Sequence, residues 1–462
     1  MTLMQNILNI IPEVKAPKEK KLPFGQKLKW TAFVLILFFI LGAVHLYGLG
    51  ANALSQFEFL SVVLGASFGS IISLGIGPIV TASIVLQLLN GAGILNFDLT
   101  THHGKESFQG TQKLLTYFFI ILEACIYVLM GGLSPKVGIH PAILIIQLCI
   151  GALIIMYLDE VINKWGFGSG ISLFIAAGVS QSIFIQALSP LHPVTAGVSD
   201  PNTYVGAIPQ IFKSLTMGDS LTVGLKLAVL IATVAVFLIV VFAQAMKVEI
   251  PLSFGRIRGH GIRWPLNFIY TSVIPVILVS ALIANIQLLA RLVSNAGISW
   301  LSWLGTFSGG QAVGGLAAWL TNVNLLSKIV QGNVVAMDFA QAGVYMLIMI
   351  AGSVLFSWFW MQTSGLDPRA QAKQMMASGL QIPGFRKDAR VLERLLKRYI
   401  YPLTVMGGIF IGFLASIANM TGALGSGTGL LLTVMIIYKL YEDVAKQHLE
   451  DMNPALRKMM GR

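Results

Sequence analysis

Ten stretches of about twenty apolar residues run through this sequence, and they decide what the chain can fold into. A helix of that length crosses the hydrocarbon core of a bilayer. Of the 462 residues, 55% are hydrophobic and only 11% are charged, whereas a soluble domain carries roughly 25% charged residues. The sequence therefore predicts an all-α membrane protein with ten transmembrane helices, at residues 30–49, 74–93, 113–132, 139–158, 169–188, 222–245, 266–289, 341–361, 400–419 and 423–441.

The positions of the positive charges predict the orientation of these spans. The net charge is +12, and with the N-terminus in the cytosol nearly all Lys and Arg residues fall on cytosolic segments. This is the bias that the positive-inside rule describes. It predicts cytosolic termini (1–29 and 442–462) and two long cytosolic loops, 246–265 and 362–399. The exceptions are Lys136, Lys213, Lys226, Arg291 and Lys328.

One further apolar segment, residues 57–70 (FEFLSVVLGASFGS), does not fit the pattern of a full span. It is too short to cross a bilayer and it contains Glu58. Counting it as a span would invert every later loop and would destroy the charge bias. It is predicted to enter the membrane from the outer side and to return there.

The second span opens with an interruption in the middle of the membrane, SLGIGPIVTASIVLQLL at residues 73–89. Broken helices at this depth are typical of secondary transporters, which use them to bind polar substrates. Here aliphatic residues surround the break, and Ile171, Ile175 and Ile277 stand at comparable positions in later spans. These residues favour an apolar constriction, but ordinary helix packing would produce the same pattern.

The sequence offers little sign of catalysis. It has no GxxxxGK[ST] nucleotide loop, its seven histidines do not have the spacing of metal ligands, and Glu123 is the clear ionisable exception inside a span. No cofactor, metal or enzyme activity is predicted. Three classes stay open at this point: a passive channel, a secondary transporter and a membrane-embedded scaffold.

Longer motifs resemble one known family along nearly the whole chain. These motifs are LGIGPIVTASIVLQLL (74–89), FQGTQKLL (108–115), YLDEVINKWGFGSGISLFIAAGVSQSIF (157–184), IPLSFGRIRG (250–259), IPVILVSALIANIQL (274–288), TSGLDP (363–368), LKRYIYPLTVMGG (396–408) and IANMTGALGSGTGLLL (417–432). With them the chain is similar to SecY, in its archaeal form, from about residue 6 to the C-terminus, although the outer stretches 190–220 and 292–340 match poorly.

The resemblance implies two inverted five-helix halves, 30–188 and 222–441, around a central pore and joined by an external linker, 189–221. Residues 57–70 would be a re-entrant plug helix, hinged on Gly75, Gly77 and Pro78, since glycine permits a turn and proline suits a helix start. The pore ring of the family falls on Ile76, Val80, Ile171, Ile175, Ile277 and Leu432.

The resemblance also implies a lateral gate that releases hydrophobic segments into lipid. Its polar cluster falls on Thr81, Glu123 and Asn285. This would explain the central carboxylate, which is costly in a membrane unless it is hydrogen-bonded or neutral. The other reading is a purely structural hydrogen bond between helices.

Several partners follow from the same resemblance. A passive channel in the cell membrane would join a SecE-type gamma subunit and a small beta subunit, and would receive signal sequences and a nascent chain from the ribosome. The two basic loops would dock that ribosome, although setting the topology and touching anionic membrane lipids would also account for their charge. The docking residues would be Arg256, Arg258, Arg263, Arg386, Lys387, Arg390 and Arg394.

Overall fold

The computed structural model describes residues 12–18, 22–52, 65–91, 94–95, 97, 102–192, 194–195, 198–199, 203–254, 261–271, 273–295, 297, 301–308, 311–377, 380–381 and 389–452. The first part of the predicted plug, residues 57–64, lies outside these residues. So do four predicted docking residues: Arg256, Arg258, Arg386 and Lys387.

Long helices dominate the described part of the chain. In chain order these are α1 (Phe24–Ala43), α2 (Gly77–Gly91), α3 (His102–Leu129), α4 (Pro141–Trp165), α5 (Gly170–Leu188), α7 (Ser220–Ala245), α8 (Ile274–Asn295), α11 (Ala336–Thr363), α13 (Ala389–Met420) and α14 (Gly427–Met452), with the short helices α6 (Ala207–Met217), α9 (Gly315–Leu320), α10 (Leu325–Val330) and α12 (Pro368–Ala377) between them.

Eight helices in the described residues are long and apolar enough to cross a membrane. The two remaining predicted spans correspond to α2, which has 15 residues, and to α14, which has 26 residues but carries Lys439, Glu442 and Asp443 towards its end. The helical membrane architecture is therefore confirmed, while the count of ten spans stays a prediction.

Some helix ends differ from the predicted span ends. The first helix begins at Phe24, directly after the extended residue Pro23, and ends at Ala43, so it starts within the predicted cytosolic segment 1–29. The seventh span was predicted at 266–289, but the chain is still a strand as far as Asn267, and its helix runs from Ile274 to Asn295. Hydropathy alone does not distinguish an apolar strand from the beginning of a helix.

Short antiparallel sheets connect the helices. β1 (Leu49–Asn52) pairs with β2 (Leu133–Pro135), β3 (Val194–Thr195) with β4 (Val198–Ser199), and β7 (Thr306–Ser308) with β8 (Gln311–Gly314). The central strand β5 (Lys247–Phe254) pairs on one side with β6 (Gly261–Asn267) and on the other with β9 (Leu380–Gln381). The two long loops predicted to be cytosolic are therefore joined in a single sheet.

The break before α2 packs tightly against α4. A Cβ atom placed on Gly151 in the middle of α4 would lie 1.8 Å from the carbonyl oxygen of Ile71. No side chain fits at that distance, so only glycine lets α4 approach the interrupted segment. This contact holds residues 71–76 at a set position in the core.

We expect Gly151→Ala to destabilise the protein, by about 1–3 kcal/mol as in other overpacked cores. The matched control is Gly178→Ala in α5, where an added Cβ would meet no atom within 4 Å. That change should be neutral or stabilising, because alanine favours a helix over glycine. The measurement is the midpoint of thermal unfolding of the purified protein in detergent at one scan rate. Equal midpoints for the two variants would contradict the packing argument.

Candidate pore and lateral gate

The interruption at residues 70–77 satisfies its own polar groups inside the protein. Ser73 is fully buried, and its hydroxyl accepts a hydrogen bond from the backbone N–H of Gly69 (2.9 Å) and lies 2.5 Å from the Ser70 carbonyl oxygen. Gly75 has φ +54°, a left-handed conformation that glycine adopts without strain. Two tight turns follow, from Gly75 N–H to Ile72 O (2.9 Å) and from Gly77 N–H to Leu74 O (3.1 Å).

Helix α2 then begins at Gly77, with Pro78 as its second residue. Proline at this position loses no helical hydrogen bond, because the first N–H groups of a helix have no partner within it. The predicted hinge residues Gly75, Gly77 and Pro78 therefore do form the joint between an irregular segment and a helix.

All six residues of the predicted ring lie in one contiguous apolar cluster. Five are buried, with exposed fractions of 4% or less, and the sixth, Ile171, is half-buried against them. They come from four separate parts of the chain: the start of α2, the first turns of α5, the first turn of α8 and the first turns of α14. The five buried members are Ile76, Val80, Ile175, Ile277 and Leu432.

The end of the predicted plug reaches this cluster. A Cβ atom placed on Gly65, which has φ +52°, would lie 3.8 Å from Cγ2 of Ile76 and 3.6 Å from Cβ of Phe174. Gly65 therefore lies next to the ring residue Ile76. The rest of the predicted plug lies outside the described residues.

A cavity of about 380 Å³ adjoins the predicted ring. Val80, Ile171 and Ile277 line it together with other apolar side chains and with polar side chains from α2, α3, α5 and the end of α11. Within this lining, the side-chain amide of Gln112 in α3 donates a hydrogen bond to Ser83 Oγ in α2 (2.6 Å). Other polar residues that line the cavity include Gln87, Gln109, Ser172 and Thr363. Side chains of the predicted ring thus form part of the lining of a cavity that also carries polar side chains.

The three predicted gate residues lie in hydrogen-bonding contact. The hydroxyl of Thr81 in α2 lies 3.0 Å from Oε1 of Glu123 in α3, and the amide of Asn285 in α8 donates to the same hydroxyl oxygen at 2.9 Å. Thr81 Oγ1 also lies 2.9 Å from the Gly77 carbonyl oxygen. Because a hydroxyl has one proton, Thr81 donates to only one of these oxygens at a time.

The hydrogen bonds of this cluster connect α2 to two neighbouring helices. Thr81 and Glu123 join α2 to α3, whereas Asn285 joins α2 to α8 across sequence positions 204 residues apart. The same face of α2 packs on α8 and on α11, where Gly91 lies against the ring of Phe359. A single side-chain hydrogen bond of this cluster therefore crosses the seam between α2 and α8.

Sequence reasoning missed one residue that positions the ring. Asp159 in α4 accepts a hydrogen bond at its Oδ1 from the backbone N–H of Ile171 (2.9 Å), at the start of α5. Ser169, which occupies the N-cap position, makes no side-chain cap of its own. A carboxylate at this place satisfies a free N–H group and complements the helix dipole. The acidic pair at the end of the fourth span, LDE at 158–160, was the signal that could have identified it.

The described docking candidates lie on the shared sheet and on the helix next to it. Arg263 in β6 has a side chain that is 78% exposed and pairs with Glu249 of β5 at 3.0 Å. Arg390 and Arg394 are exposed in the first turns of α13, whose apolar side packs beneath the sheet on Ile250 and Leu266. The sheet and the beginning of α13 thus form one basic, outward-facing structure.

A half-buried tyrosine connects this structure to the transmembrane helices. Tyr270, just after β6, donates its hydroxyl to the carbonyl oxygen of Leu366 at 2.7 Å. Burial raises the pKa of this hydroxyl well above its usual value, so it remains a neutral donor at physiological pH. The two basic loops are therefore connected by this bond as well as by strand pairing.

Comparisons with known proteins agree with this geometry. The SecY family profile matches residues 70–441. The chain is 46% identical to the protein translocase subunit SecY of Methanothermobacter thermautotrophicus, over 98% of each chain, and 43% identical to that of Methanocaldococcus jannaschii, over 99% of each.

Solved structures give the same result at the level of the fold. A structure of a protein-conducting channel superposes with a TM-score of 0.83 at 43% identity, covering 97% of this chain and 98% of the other. Sec61 in a canine ribosome-channel complex superposes with a TM-score of 0.79, also at 43% identity and with the same coverage. Full-length sequence similarity and a shared helical architecture together show that this chain belongs to the SecY family.

Proposed function

We propose that this chain is the pore-forming subunit of a protein-conducting channel, which passes unfolded polypeptides across the membrane and releases transmembrane segments sideways into lipid. The observation that carries the proposal is the apolar cluster that contains all six ring residues, three of which line a cavity of about 380 Å³, in a member of the SecY family. The channel is passive, and its energy comes from a partner. A secondary transporter would instead need polar groups at the break, where this chain places aliphatic side chains.

The ring acts as the seal. A narrow aliphatic constriction offers water and ions no replacement for their hydration, so it stays dry and blocks conduction. It also makes no specific hydrogen bonds, which suits a pore that must accept many sequences. Residues 57–70 complete the seal as a plug hinged at 75–78, supported by the position of Gly65 next to Ile76.

The seam between α2 and α8 serves as the lateral gate. The helices belong to the two proposed halves, 30–188 and 222–441, which would open around the linker 189–221. Opening must separate Asn285 from Thr81. An interhelical hydrogen bond of this kind contributes only about 1 kcal/mol in a membrane, so a hydrophobic segment in the gate could offset its loss.

We further propose the cell membrane as location, with both termini in the cytosol, and a SecE-type gamma subunit and a small beta subunit as partners. The ribosome would dock on the basic sheet and on α13, including the predicted residues Arg256, Arg258, Arg386 and Lys387. A relative solved with a ribosome supports this assignment. Arginine suits ribosomal RNA because it binds phosphate oxygens in a bidentate manner.

Polar substitution in the ring should make the resting channel conduct ions. We expect Ile76→Asn with Ile175→Asn to wet the constriction and to raise the conductance of planar bilayers that contain the protein. The control pair is Ile155→Asn with Ile162→Asn in α4, which are equally buried in the same apolar cluster but lie outside the ring. A ring variant that seals as well as the control would show that these side chains do not form the seal.

A disulfide across the seam should lock the gate. In a background with Cys125→Ala and Cys149→Ala, Thr81→Cys and Asn285→Cys should crosslink on oxidation, since their side chains are in contact. Insertion of a signal anchor into proteoliposomes should then stop and should recover on reduction. Thr81→Cys with Ile283→Cys is the control, because Ile283 faces the opposite side of α8. Normal insertion through a fully crosslinked seam would refute the gate.

Reversing charge in the basic loops should abolish ribosome binding. We expect Arg256→Glu with Arg386→Glu to remove co-sedimentation with ribosomes while the resting ion seal is unchanged. Binding by the parent protein should weaken steeply with salt, and the slope should fall by about one for each phosphate contact that is lost. Lys213→Glu with Lys226→Glu, on the predicted outer side, is the matched control. If both variants bind ribosomes equally well at one salt concentration, the basic loops do not dock the ribosome. Their charge would then serve contact with membrane lipids or the orientation of the spans.

A further inference from the structure

The short helix α6 (Ala207–Met217) presents its polar side chains to the protein and its large apolar side chains outward. Gln210 and Ser214 are buried with Ala207. The side chain of Gln210 accepts from the backbone N–H of Tyr204 (2.6 Å) and donates to Ser214 Oγ (3.2 Å). In water the opposite arrangement would be favourable, because large apolar groups are normally the ones withdrawn from solvent.

The outward side of α6 is divided into two stripes. Phe212 and Leu215 are 67% and 60% exposed, and the half-buried Ile208 lies beside them one turn earlier. The helical period places Lys213 and Thr216 on the neighbouring stripe. One flank of the helix is therefore apolar, the other carries Lys213 and Thr216 together with Pro209 and the terminal Met217, and the protein lies along the third side. This distribution is typical of a helix that lies in a membrane interface.

The position of α6 along the chain places it at the ends of two spans. Helix α5 ends at Leu188 and α7 begins at Ser220, and both are long and apolar enough to cross a bilayer. Gly218 closes α6 in a left-handed conformation, and the adjacent Asp219 caps α7 through the N–H of Thr222 (3.2 Å). With so short a connection, α6 must lie at the level where α7 enters the membrane.

The apolar stripe continues the lipid-facing surface of these two spans. Phe184 and Leu188 are exposed at the end of α5, and Leu221 is exposed at the start of α7. This continuity favours lipid as the occupant of the apolar stripe, since exposed apolar side chains of membrane-spanning helices face acyl chains and the stripe extends their surface. The ammonium group of Lys213 at the edge of the stripe complements the phosphates of the headgroups.

We propose that α6 is an interfacial helix that inserts Phe212 and Leu215 into the acyl chains of the outer leaflet, with Lys213 and Thr216 at the headgroups. The link between the proposed halves of the channel is then held by lipid as well as by protein. Any hinge motion of the halves must move this helix through the interface. The proposal goes beyond polypeptide conduction, because it assigns a lipid-binding surface to the linker.

The test is the depth of single nitroxide labels in the complete chain reconstituted in nanodiscs of phosphatidylcholine and phosphatidylglycerol. With Cys125→Ala and Cys149→Ala as background, cysteines replace Phe212, Leu215, Lys213 or Thr216 one at a time. Two reference sites calibrate the scale: Ile231, 67% exposed in the middle of α7, and Val137, fully exposed in the turn after β2. The ratio of collision with oxygen to collision with a water-soluble nickel complex reports depth.

We expect labels at 212 and 215 to resemble the hydrocarbon reference, and labels at 213 and 216 to favour the nickel complex at least several-fold more. All four sites resembling Val137 would overturn the proposal, because α6 would then lie in water. Low accessibility of 212 and 215 to both reagents would also overturn it, because a protein surface rather than lipid would cover the stripe. The unfolding midpoint of each labelled variant verifies that it is folded.

Discussion

The structure depends on the requirement that backbone polar groups within a membrane find partners inside the protein. Long helices meet this requirement automatically. The segment before α2 does not, since it abandons helical hydrogen bonding at the core of the protein. Ser73 and the tight turns at Gly75 and Gly77 supply the missing partners. An irregular segment can therefore exist there, and it brings Ile76 to the ring from a direction that no straight helix would allow.

Polar and apolar groups have separate tasks around this break. Val80, Ile171 and Ile277 of the proposed ring contribute apolar side chains to the lining of the cavity, where hydrogen-bonding groups in their place would favour water. The polar cluster of Thr81, Glu123 and Asn285 lies at the seam between helices, where a single hydrogen bond can hold two surfaces together and can be replaced at modest cost. Thr81 is only one residue from Val80 of the ring, so movement at the seam and movement at the ring are mechanically linked.

Neighbouring helices hold the ring in register. Gly151 allows α4 to contact the interrupted segment at the carbonyl of Ile71, and Asp159, two turns further along the same helix, caps α5 just before Ile171. Helix α4 thereby sets the position of ring residues from both α2 and α5. It contributes no side chain to the ring itself, which explains why the predicted set of functional residues did not include it.

The sequence by itself determined the membrane class and the approximate spans and, through family resemblance, predicted the residues of the ring and of the polar cluster. These follow from hydropathy, charge bias and long motifs, which are all local properties of a chain. Tertiary structure alone decided other meetings of distant groups: Asp159 on the start of α5, and strand β9 beside β5. It also showed that α6 turns its polar side chains inward. Such arrangements depend on contacts between residues far apart in sequence, and local periodicity carries no information about the partner that a given face will meet.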